Sequence, residues 1–239
     1  SLARQLPRAL RLGTSSWYFP GWAGIVWDRV TDDAELARSG LAAYAKHPLL
    51  RTVSVDRTFY APLSAAQYAG YARQVPESFR FLVKAPQRVT SAFLRMKDGG
   101  TEANGQFLDA AYAAAHFVRP CIEGLGNRTG PLIFQFPPLG RAITRAPARF
   151  AARLRDFLAA LPRAASAGMP EDACYAVELR DAELVTRALS AVLNETGTRY
   201  CVGIHPRMPA VAAQAAMMAG FGPGPLIARW NLQDGHGYN

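Results

Sequence analysis

The sequence predicts an α/β fold of the (β/α)8 TIM-barrel-like type, formed by a single domain over residues 1–239. Short, mostly apolar segments alternate with amphipathic helical segments along the chain, which is typical of a parallel sheet covered by helices. Hydrophobic residues make up 50% of the chain, enough to build a full core, and no change in composition marks a second domain. We therefore expect consecutive βα units around one core.

The strands are predicted where short apolar runs end in glycine, proline or charged residues. The first run leads into an aromatic loop at 16–22, Pro86 follows the third, and Pro137 ends the fourth. The predicted strands are 10–15, 51–56, 79–84, 132–136, 175–179, 199–204 and 226–230.

Helices are predicted between the strands, where apolar residues recur with helical spacing. Ser64 is a typical N-cap for the second helix, and Pro76 stops it. The polar, glycine-rich residues 95–103 are predicted to form a loop. The predicted helices are 36–46, 64–74, 107–118, 149–161, 182–193 and 211–219.

No eighth strand is predicted after 226–230, so we expect the last strand of the barrel to be missing and the domain to be C-terminally incomplete. The alternative fold is a doubly wound open sheet, because such a sheet tolerates a missing edge strand.

The formal net charge of +9 suggests an anionic partner. Only three of the 27 basic residues are lysines, and an excess of arginine and alanine can also reflect a GC-rich coding sequence. No run of five like charges occurs, which argues against a basic tail for nucleic acid. We expect a small anionic ligand and neither a nucleic acid nor a membrane as partner.

Cys121, Cys174 and Cys201 are widely spaced, which argues against a disulfide framework or a zinc site and favours a reducing cytoplasm. The first 13 residues lack the apolar core of a signal peptide, and no stretch reaches the roughly 18 apolar residues of a membrane span. No cofactor is predicted, although a divalent metal held by Asp56, Glu178 and His205 is left open.

Polar side chains lie at the ends of the predicted strands. In the strand around 176–181, Glu178 and Arg180 are two residues apart, so they should share a face. Barrel enzymes build their sites at the C-terminal ends of the strands. The polar residues that we expect at this rim are Asp56, Lys84, Gln135, Glu178, Arg180, His205, Arg229 and Asn231.

Each of these residue types suits a role in acid–base chemistry on an anion. Glu178 would act as general acid or base, with Lys84 and Asp56 as further catalytic groups. Arg180 and Arg229 would bind the anionic group, because guanidinium donors pair with carboxylates and phosphates.

The remaining candidates would line the substrate site. Asn231, Gln135 and His205 are predicted to bind substrate, with Trp17 and Tyr60 as a stacking wall. Alternatively, Trp17 is an apolar plug in the barrel mouth. Arg57 and Arg207 are further cations that could reach the rim.

Five motifs in order resemble those of the YecE-like family, the domain of unknown function seventy-two. The resemblance implies a TIM-barrel-like fold and a bacterial or archaeal protein, and it implies no reaction. The motifs are 13–17 (Gly-Thr-Ser-Ser-Trp), 56–60 (Asp-Arg-Thr-Phe-Tyr), 79–86, 130–138 and 177–180.

The chain departs from the family pattern at the rim. Ser54 stands where the family usually has Glu, Asp56 where it has Asn, and Ser16 where it has Gly. The segment 203–207 replaces an Asp-Ser-Pro-like motif, and the closing Asn-Asn strand has no match. A role for the family's Glu therefore cannot be carried over to position 54.

Three functions fit these patterns. The first is an enzyme (hydrolase, lyase or isomerase) that acts on a small phosphate- or carboxylate-bearing substrate. Here Glu178→Gln is expected to abolish turnover without affecting folding. The second is a non-catalytic binder of a ligand or protein partner, and the third is nucleic-acid processing. The sequence contains no Walker lysine motif and no Gly-x-Ser-x-Gly elbow.

Overall fold

Six parallel strands form the central sheet of the computed structural model, which describes residues 2–96, 98–162 and 168–231. The strands follow one another in chain order, β1-β2-β5-β6-β7-β8, with no reversal of direction across the sheet. A doubly wound sheet would reverse its order, so that alternative is wrong. The strands are β1 (Thr52–Val55), β2 (Arg80–Lys84), β3 (Phe93–Arg95), β4 (Thr101–Ala103), β5 (Thr129–Gln135), β6 (Tyr175–Glu178), β7 (Arg199–Ile204) and β8 (Ile227–Trp230).

Helices connect the parallel strands, as the alternating pattern predicts. Ser64 caps α3 through a capping box with Gln67, which confirms the predicted N-cap. The predicted helix 107–118 continues to Leu125, because a π-helical turn at Ala114–Val118 joins α5 to α6. The helices are α1 (Leu2–Gln5), α2 (Asp33–Tyr44), α3 (Ala65–Ala72), α4 (Gln87–Thr90), α5 (Ala110–Ala113), α6 (Arg119–Leu125), α7 (Arg141–Thr144), α8 (Pro147–Ala160), α9 (Arg187–Glu195) and α10 (Val211–Met217).

Short 3₁₀ turns follow several of the strands and loops, at Pro20–Trp22, Asp56–Phe59, Gly126–Arg128 and Ala182–Leu184. None of the helices in the described part of the chain has the length and apolar character that a membrane crossing requires. Residues 232–239, which follow the last predicted strand, lie outside the described residues.

The predicted first strand, 10–15, is wrong as a regular strand. Its central residues run parallel to β1, and the Leu12 carbonyl accepts from Thr52 N while the Thr14 carbonyl accepts from Ser54 N. Between these bonds the Tyr44 hydroxyl replaces the direct ladder bond, since it accepts from Thr14 N and donates to the Thr52 carbonyl. A side chain thus interrupts the ladder, which local periodicity could not predict.

Gly13 lets this segment approach β1 so closely. A Cβ atom at position 13 would lie 2.1 Å from the Thr52 carbonyl oxygen, a distance that no side chain tolerates. The glycine of the first family-like motif is therefore required by packing of backbone against backbone.

The predicted loop at 95–103 is also wrong, because its ends form an antiparallel hairpin. β3 pairs with β4 from Phe93 opposite Ala103 to Arg95 opposite Thr101. The turn between them contains Gly99 with a positive φ of 87°, and the Asp98 side chain accepts a hydrogen bond from Gly100 N. Asp98, Gly99 and Gly100 lie in this turn, whereas Arg95, Thr101 and Glu102 belong to the strands on either side of it.

The apolar residues divide into two clusters on the two faces of the sheet. The larger cluster lies between sheet and helices, where Phe134 packs edge-on against Phe117 and Phe157. The smaller cluster lies on the other face and contains Ile133, Cys174, Ala176, Cys201 and Ile227. Residues from β5, β6, β7 and β8 meet there, so the sheet curls around this cluster as half of a barrel.

All three cysteines are buried free thiols, as their spacing predicts. Burial raises the pKa of the Cys174 thiol to about 12. A thiol with that pKa contributes packing and little nucleophilic chemistry at neutral pH.

Phe134→Ala should lower the free energy of unfolding by about 3–5 kcal/mol, because it empties a fully buried position among three aromatic rings. The matched control is Phe93→Ala on the hairpin, where the side chain is 54% exposed and the loss should stay within about 1 kcal/mol. Urea unfolding measures both values, and equal losses would contradict the assigned core.

Candidate functional site

The strands place apolar residues at the floor of the concave face and polar residues one step further, at its rim. In β5, Ile133 and Gln135 point to the same face, with the apolar residue first and the polar residue nearer the carboxyl end. Ala176 and Glu178 in β6 follow the same order. Gln135 lies directly opposite Glu178 in the register of these strands. The rim therefore lies at the carboxyl ends of the strands, where the sequence predicts the site.

Glu178 is the centre of the rim. Its side chain is 0% exposed, with Oε1 2.5 Å from Nη2 of Arg180 and Oε2 3.5 Å from Nη1 of Arg229. The close approach to Arg180 shows that the two residues share a face, as their spacing predicts. A buried carboxylate is tolerated here because two cations face it.

The ion pairs continue across the rim to the other end of the sheet. Nη2 of Arg229 lies 2.7 Å from Oδ2 of Asp56, and the Ser54 hydroxyl bonds the other Asp56 oxygen. On the opposite side, Nη2 of Arg180 donates to Oδ1 of Asn231 over 3.1 Å. β1 and β8 are the outermost strands, so the Asp56–Arg229 pair joins the two ends of the curled sheet.

The pairs around Glu178 are close in distance but poorly aligned as hydrogen bonds. Both Glu178 oxygens and Nη1 of Arg229 are buried with no hydrogen-bond partner among the described residues. We regard the contacts as charge attraction, since the distances of 2.5 and 3.5 Å are those of ion pairs. Buried polar atoms without hydrogen-bond partners are rare in folded proteins, and a catalytic role is one of their explanations.

Burial and charge act in opposite directions on Arg229. Burial by itself would lower the pKa of its guanidinium, but Glu178 and Asp56 outweigh burial and raise that pKa. Arg229 is therefore a permanent cation that holds two carboxylates in place.

Lys84, at the end of β2, differs from the arginines. Its Nζ lies 4.4 Å from the centre of the Phe59 ring, and it forms no ion pair with any described residue. Burial is the main cause that lowers the pKa of Lys84, helped by Arg229 and Arg180 and opposed by Asp56 and Glu178. The side chain is thus a weakly held cation in a partly buried position.

The backbone at Lys84 is fixed by Thr58. The buried Thr58 hydroxyl lies 2.6 Å from the Lys84 carbonyl oxygen and 2.7 Å from that of Val55. It therefore holds together the carboxyl ends of β1 and β2.

A cavity of about 430 Å³ opens beside the ion pairs. Arg180 connects the two, because it contacts Glu178 and also lines the cavity. Nδ1 of His205 accepts a hydrogen bond from the Arg207 amide over 3.1 Å, which leaves Nε2 for a ligand. The cavity is lined by Gln135, Pro137, Pro138, Arg180, His205, Arg207 and Asn231.

The two aromatic residues predicted as a stacking wall do not line the cavity. Trp17 is 2% exposed and packs edge-on against Tyr18 and Tyr71 in the larger cluster. Tyr60 is 77% exposed, contacts Phe59 and does not line the cavity.

The other predicted residues lie in the ion-pair network, beside it or along the cavity. They are Asp56, Lys84, Gln135, Glu178, Arg180, His205, Arg229 and Asn231. Of the two further cations, Arg207 lines the cavity, whereas Arg57 donates to the Tyr71 hydroxyl.

Asp56, Glu178 and His205 are not brought together as metal ligands. Within residues 2–96, 98–162 and 168–231, no three His, Cys, Asp or Glu side chains are grouped so that they could hold a metal ion. Arg229 faces both carboxylates instead.

Sequence reasoning missed four residues of the site. Phe59 lies under Lys84 and Thr58 fixes its backbone, while Pro137 and Pro138 line the cavity. The only signal for them was membership in the family-like motifs 56–60 and 130–138, because apolar and proline residues suggest no chemistry by themselves.

The family model described as protein of unknown function DUF72 matches residues 11–226. A crystal structure of a DUF72 family protein from Thermotoga maritima MSB8 resembles the chain with a TM-score of 0.56 and 24% identity, over 83% of this chain and 66% of that chain. This chain thus spans slightly less than two thirds of that protein's length. No curated protein of known function matches the chain.

Two crystal structures of a DUF72 family protein from Enterococcus faecalis V583 are also similar. Their TM-scores are 0.54 and 0.51 at 15% and 17% identity, over 94% and 95% of this chain and 71% and 75% of theirs. At these identities the likeness shows the fold alone.

Glu178→Gln should lower the free energy of unfolding by about 3–5 kcal/mol, because it leaves Arg180 and Arg229 without the charge between them. The sequence predicts that Glu178→Gln leaves folding unaffected. Glu178 is fully buried between two arginines, so we now expect this variant to be less stable than the wild type. Glu183→Gln, at an exposed glutamate on the next turn, should change stability by less than about 0.5 kcal/mol. Chemical denaturation would contradict the network if both variants were equally stable.

Lys84→Met should change the pH dependence of stability. The folded pKa of Lys84 lies below its ordinary value of 10.5, so between the two values the unfolded chain binds more protons and stability rises with pH. Compared with Lys84→Met, the wild type should therefore gain stability as the pH rises through the range just below 10.5. Unfolding curves across this range measure the slope. Lys46→Met at an exposed lysine should keep the wild-type slope, and an identical slope in Lys84→Met would refute the burial of the charge.

Proposed function

The chain belongs to the DUF72 family, and we propose that its rim binds a small phosphate- or carboxylate-bearing ligand and carries out acid–base chemistry on it. The observation that carries this proposal is the cavity of about 430 Å³ whose wall contains Arg180, an arginine already oriented by a buried carboxylate. A cavity of this volume suits a small molecule.

Arginine supplies the anion recognition. Glu178 and Asn231 hold the Arg180 guanidinium from the protein side, so little side-chain freedom is lost when it binds a ligand. Arg207 lines the same cavity, is exposed, and has no ion-pair partner among the described residues. Two guanidinium groups on one wall favour a phosphate or a carboxylate, which accepts paired hydrogen bonds.

The acid–base groups lie around this anion site. His205 lines the cavity, and the Asp56 side chain is 29% exposed at the rim. Glu178 faces arginines in the free protein, but a ligand anion that draws Arg180 away would release Oε1 as a proton acceptor. Binding and activation of the base would then be coupled, with Lys84 as the second proton carrier.

The alternative is a non-catalytic binder of the same kind of ligand. It is favoured by the arginines that face both oxygens of Glu178, since a carboxylate engaged in this way positions cations without transferring protons. Enzyme and binder differ in one observable: only the enzyme converts the bound ligand during long incubation. Nucleic-acid processing is a third candidate, supported by net charge alone. It predicts binding to a nucleic-acid duplex that weakens as the salt concentration rises.

We further propose that the curled sheet is part of a (β/α)8-type barrel formed by a single domain. The consecutive strand order and the Asp56–Arg229 contact between the outermost strands support this architecture.

Arg207→Gln should weaken the binding of inorganic phosphate and of pyruvate at least about tenfold, because one charged hydrogen-bond donor is lost. Thermal shift reports the binding, since a ligand at a hundred times its Kd adds about 2.7 kcal/mol to stability. Arg187→Gln, at an exposed arginine on α9, is the matched control and should bind as the wild type does.

The variant Arg180→Gln should also lose binding, together with stability, since it removes the partner of Glu178. If no anion stabilises the wild type, or if Arg187→Gln and Arg207→Gln behave alike, the anion site is refuted.

A further inference from the structure

We propose that Lys84 forms a Schiff base with the carbonyl carbon of a ligand that also bears a carboxylate or phosphate. The inference rests on the proposed anion site and names its substrate class: 2-oxo acids or phosphorylated aldehydes and ketones. In this proposal Lys84 acts as a nucleophile, and it also keeps the role of proton carrier that is proposed above.

The contacts of Lys84 set it apart from the other cations of the rim. Arg180 and Arg229 each lie within 3.5 Å of a carboxylate oxygen. Nζ of Lys84 has neither an ion pair nor a hydrogen bond within the described residues, and it lies over the face of Phe59. An amine that attacks a carbonyl must hold a free lone pair. No carboxylate stabilises the protonated form of Lys84 by direct contact, and the face of Phe59 favours that form at short range.

The surroundings favour the neutral amine. Burial lowers the pKa of Lys84, and the nearby Arg229 and Arg180 act in the same direction, against Asp56 and Glu178. Desolvation together with neighbouring cations is a known way of activating a lysine for Schiff-base chemistry.

The geometry also places the amine near the anion-binding groups. Lys84 ends β2, and Gln135 and Glu178 end β5 and β6, which follow β2 in the sheet. Lys84 does not line the cavity, but Arg180 is near enough to act on its charge, so a ligand held by Arg180 and Arg207 must extend from the cavity across the rim to reach Lys84. Asp56, which follows the neighbouring strand β1 and acts on the charge of Lys84, is a candidate to move protons there.

The step is balanced without a further reactant. The lone pair of Nζ attacks the carbonyl carbon, a C–N bond forms, and the carbonyl oxygen takes up a proton to give a carbinolamine. The C–O bond then breaks and the oxygen leaves as water with the second amine proton, so that an imine remains. Protonation of the imine nitrogen gives an iminium ion that withdraws electrons from the adjacent carbon, which promotes proton loss or C–C cleavage there.

The experiment is reductive trapping on the full chain. Pyruvate, dihydroxyacetone phosphate and uncharged acetone are each incubated with the protein and sodium cyanoborohydride at neutral pH, and peptide mass spectrometry locates the reduced adduct. Lysines occur only at 46, 84 and 97, so Lys46, which is exposed, is a control within the same chain. An anionic probe should label Lys84 at least about tenfold more than Lys46, because binding holds its carbonyl beside the amine.

Two variants test the assignment. Lys84→Arg keeps the charge and removes the amine, so it should abolish the adduct at 84, whereas Lys46→Arg should not affect it. Arg207→Gln should lower labelling by the anionic probes and not by acetone. The relative labelling by pyruvate and dihydroxyacetone phosphate shows whether the carboxylate or the phosphate is preferred.

Equal labelling of Lys46 and Lys84, or no adduct at Lys84 with any probe, would overturn the proposal. Thermal shift with inorganic phosphate separates this failure from that of the anion site. Stabilisation by phosphate without trapping at Lys84 would refute the Schiff base alone, and loss of both would refute both proposals.

Discussion

The buried carboxylate of Glu178 is the constraint on which the rim depends. Removing a carboxylate from water is costly, and it is tolerated only where cations lie close and stay charged. Arg180, which follows β6, and Arg229, in β8, meet this requirement, and Arg229 also reaches Asp56 beyond β1. The Asp56–Arg229 pair therefore links the two ends of a sheet that is already curled by the twist of its strands.

The apolar floor of the concave face strengthens the electrostatic interactions between these charged side chains. Ile133, Ala176 and Ile227 lie two residues before Gln135, Glu178 and Arg229 on the same strands, so each polar side chain stands on an apolar one. A surface of this kind excludes water on one side and strengthens electrostatic interactions above it. The same alternation that builds the inner cluster therefore lowers the pKa of Lys84, which stands above Leu82.

Local patterns predicted the strands after the first, the cap at Ser64 and the shared face of Glu178 and Arg180, because each depends on neighbours a few residues apart. They failed where a distant side chain decides the structure. Tyr44 enters the ladder of the first segment, and the Asp56–Arg229 contact joins residues 173 positions apart. Trp17 was misplaced because an aromatic residue after a strand suits a core as well as a ligand wall, and only packing distinguishes them.

The departures at positions 54 and 56 now have a physical interpretation. The family-like pattern would place a carboxylate at 54, where this chain has a serine that is 7% exposed. Here the carboxylate stands at 56, is 29% exposed, and bonds the Ser54 hydroxyl while it pairs with Arg229. With the carboxylate at position 56 and not at 54, the uncharged Ser54 lies further inside the strand. Asp56 then pairs with Arg229 nearer the rim. The rim then holds Asp56 and Glu178 beside Arg180, Arg229 and the weakly held Lys84, and this balance of charges is the basis of the proposed anion site.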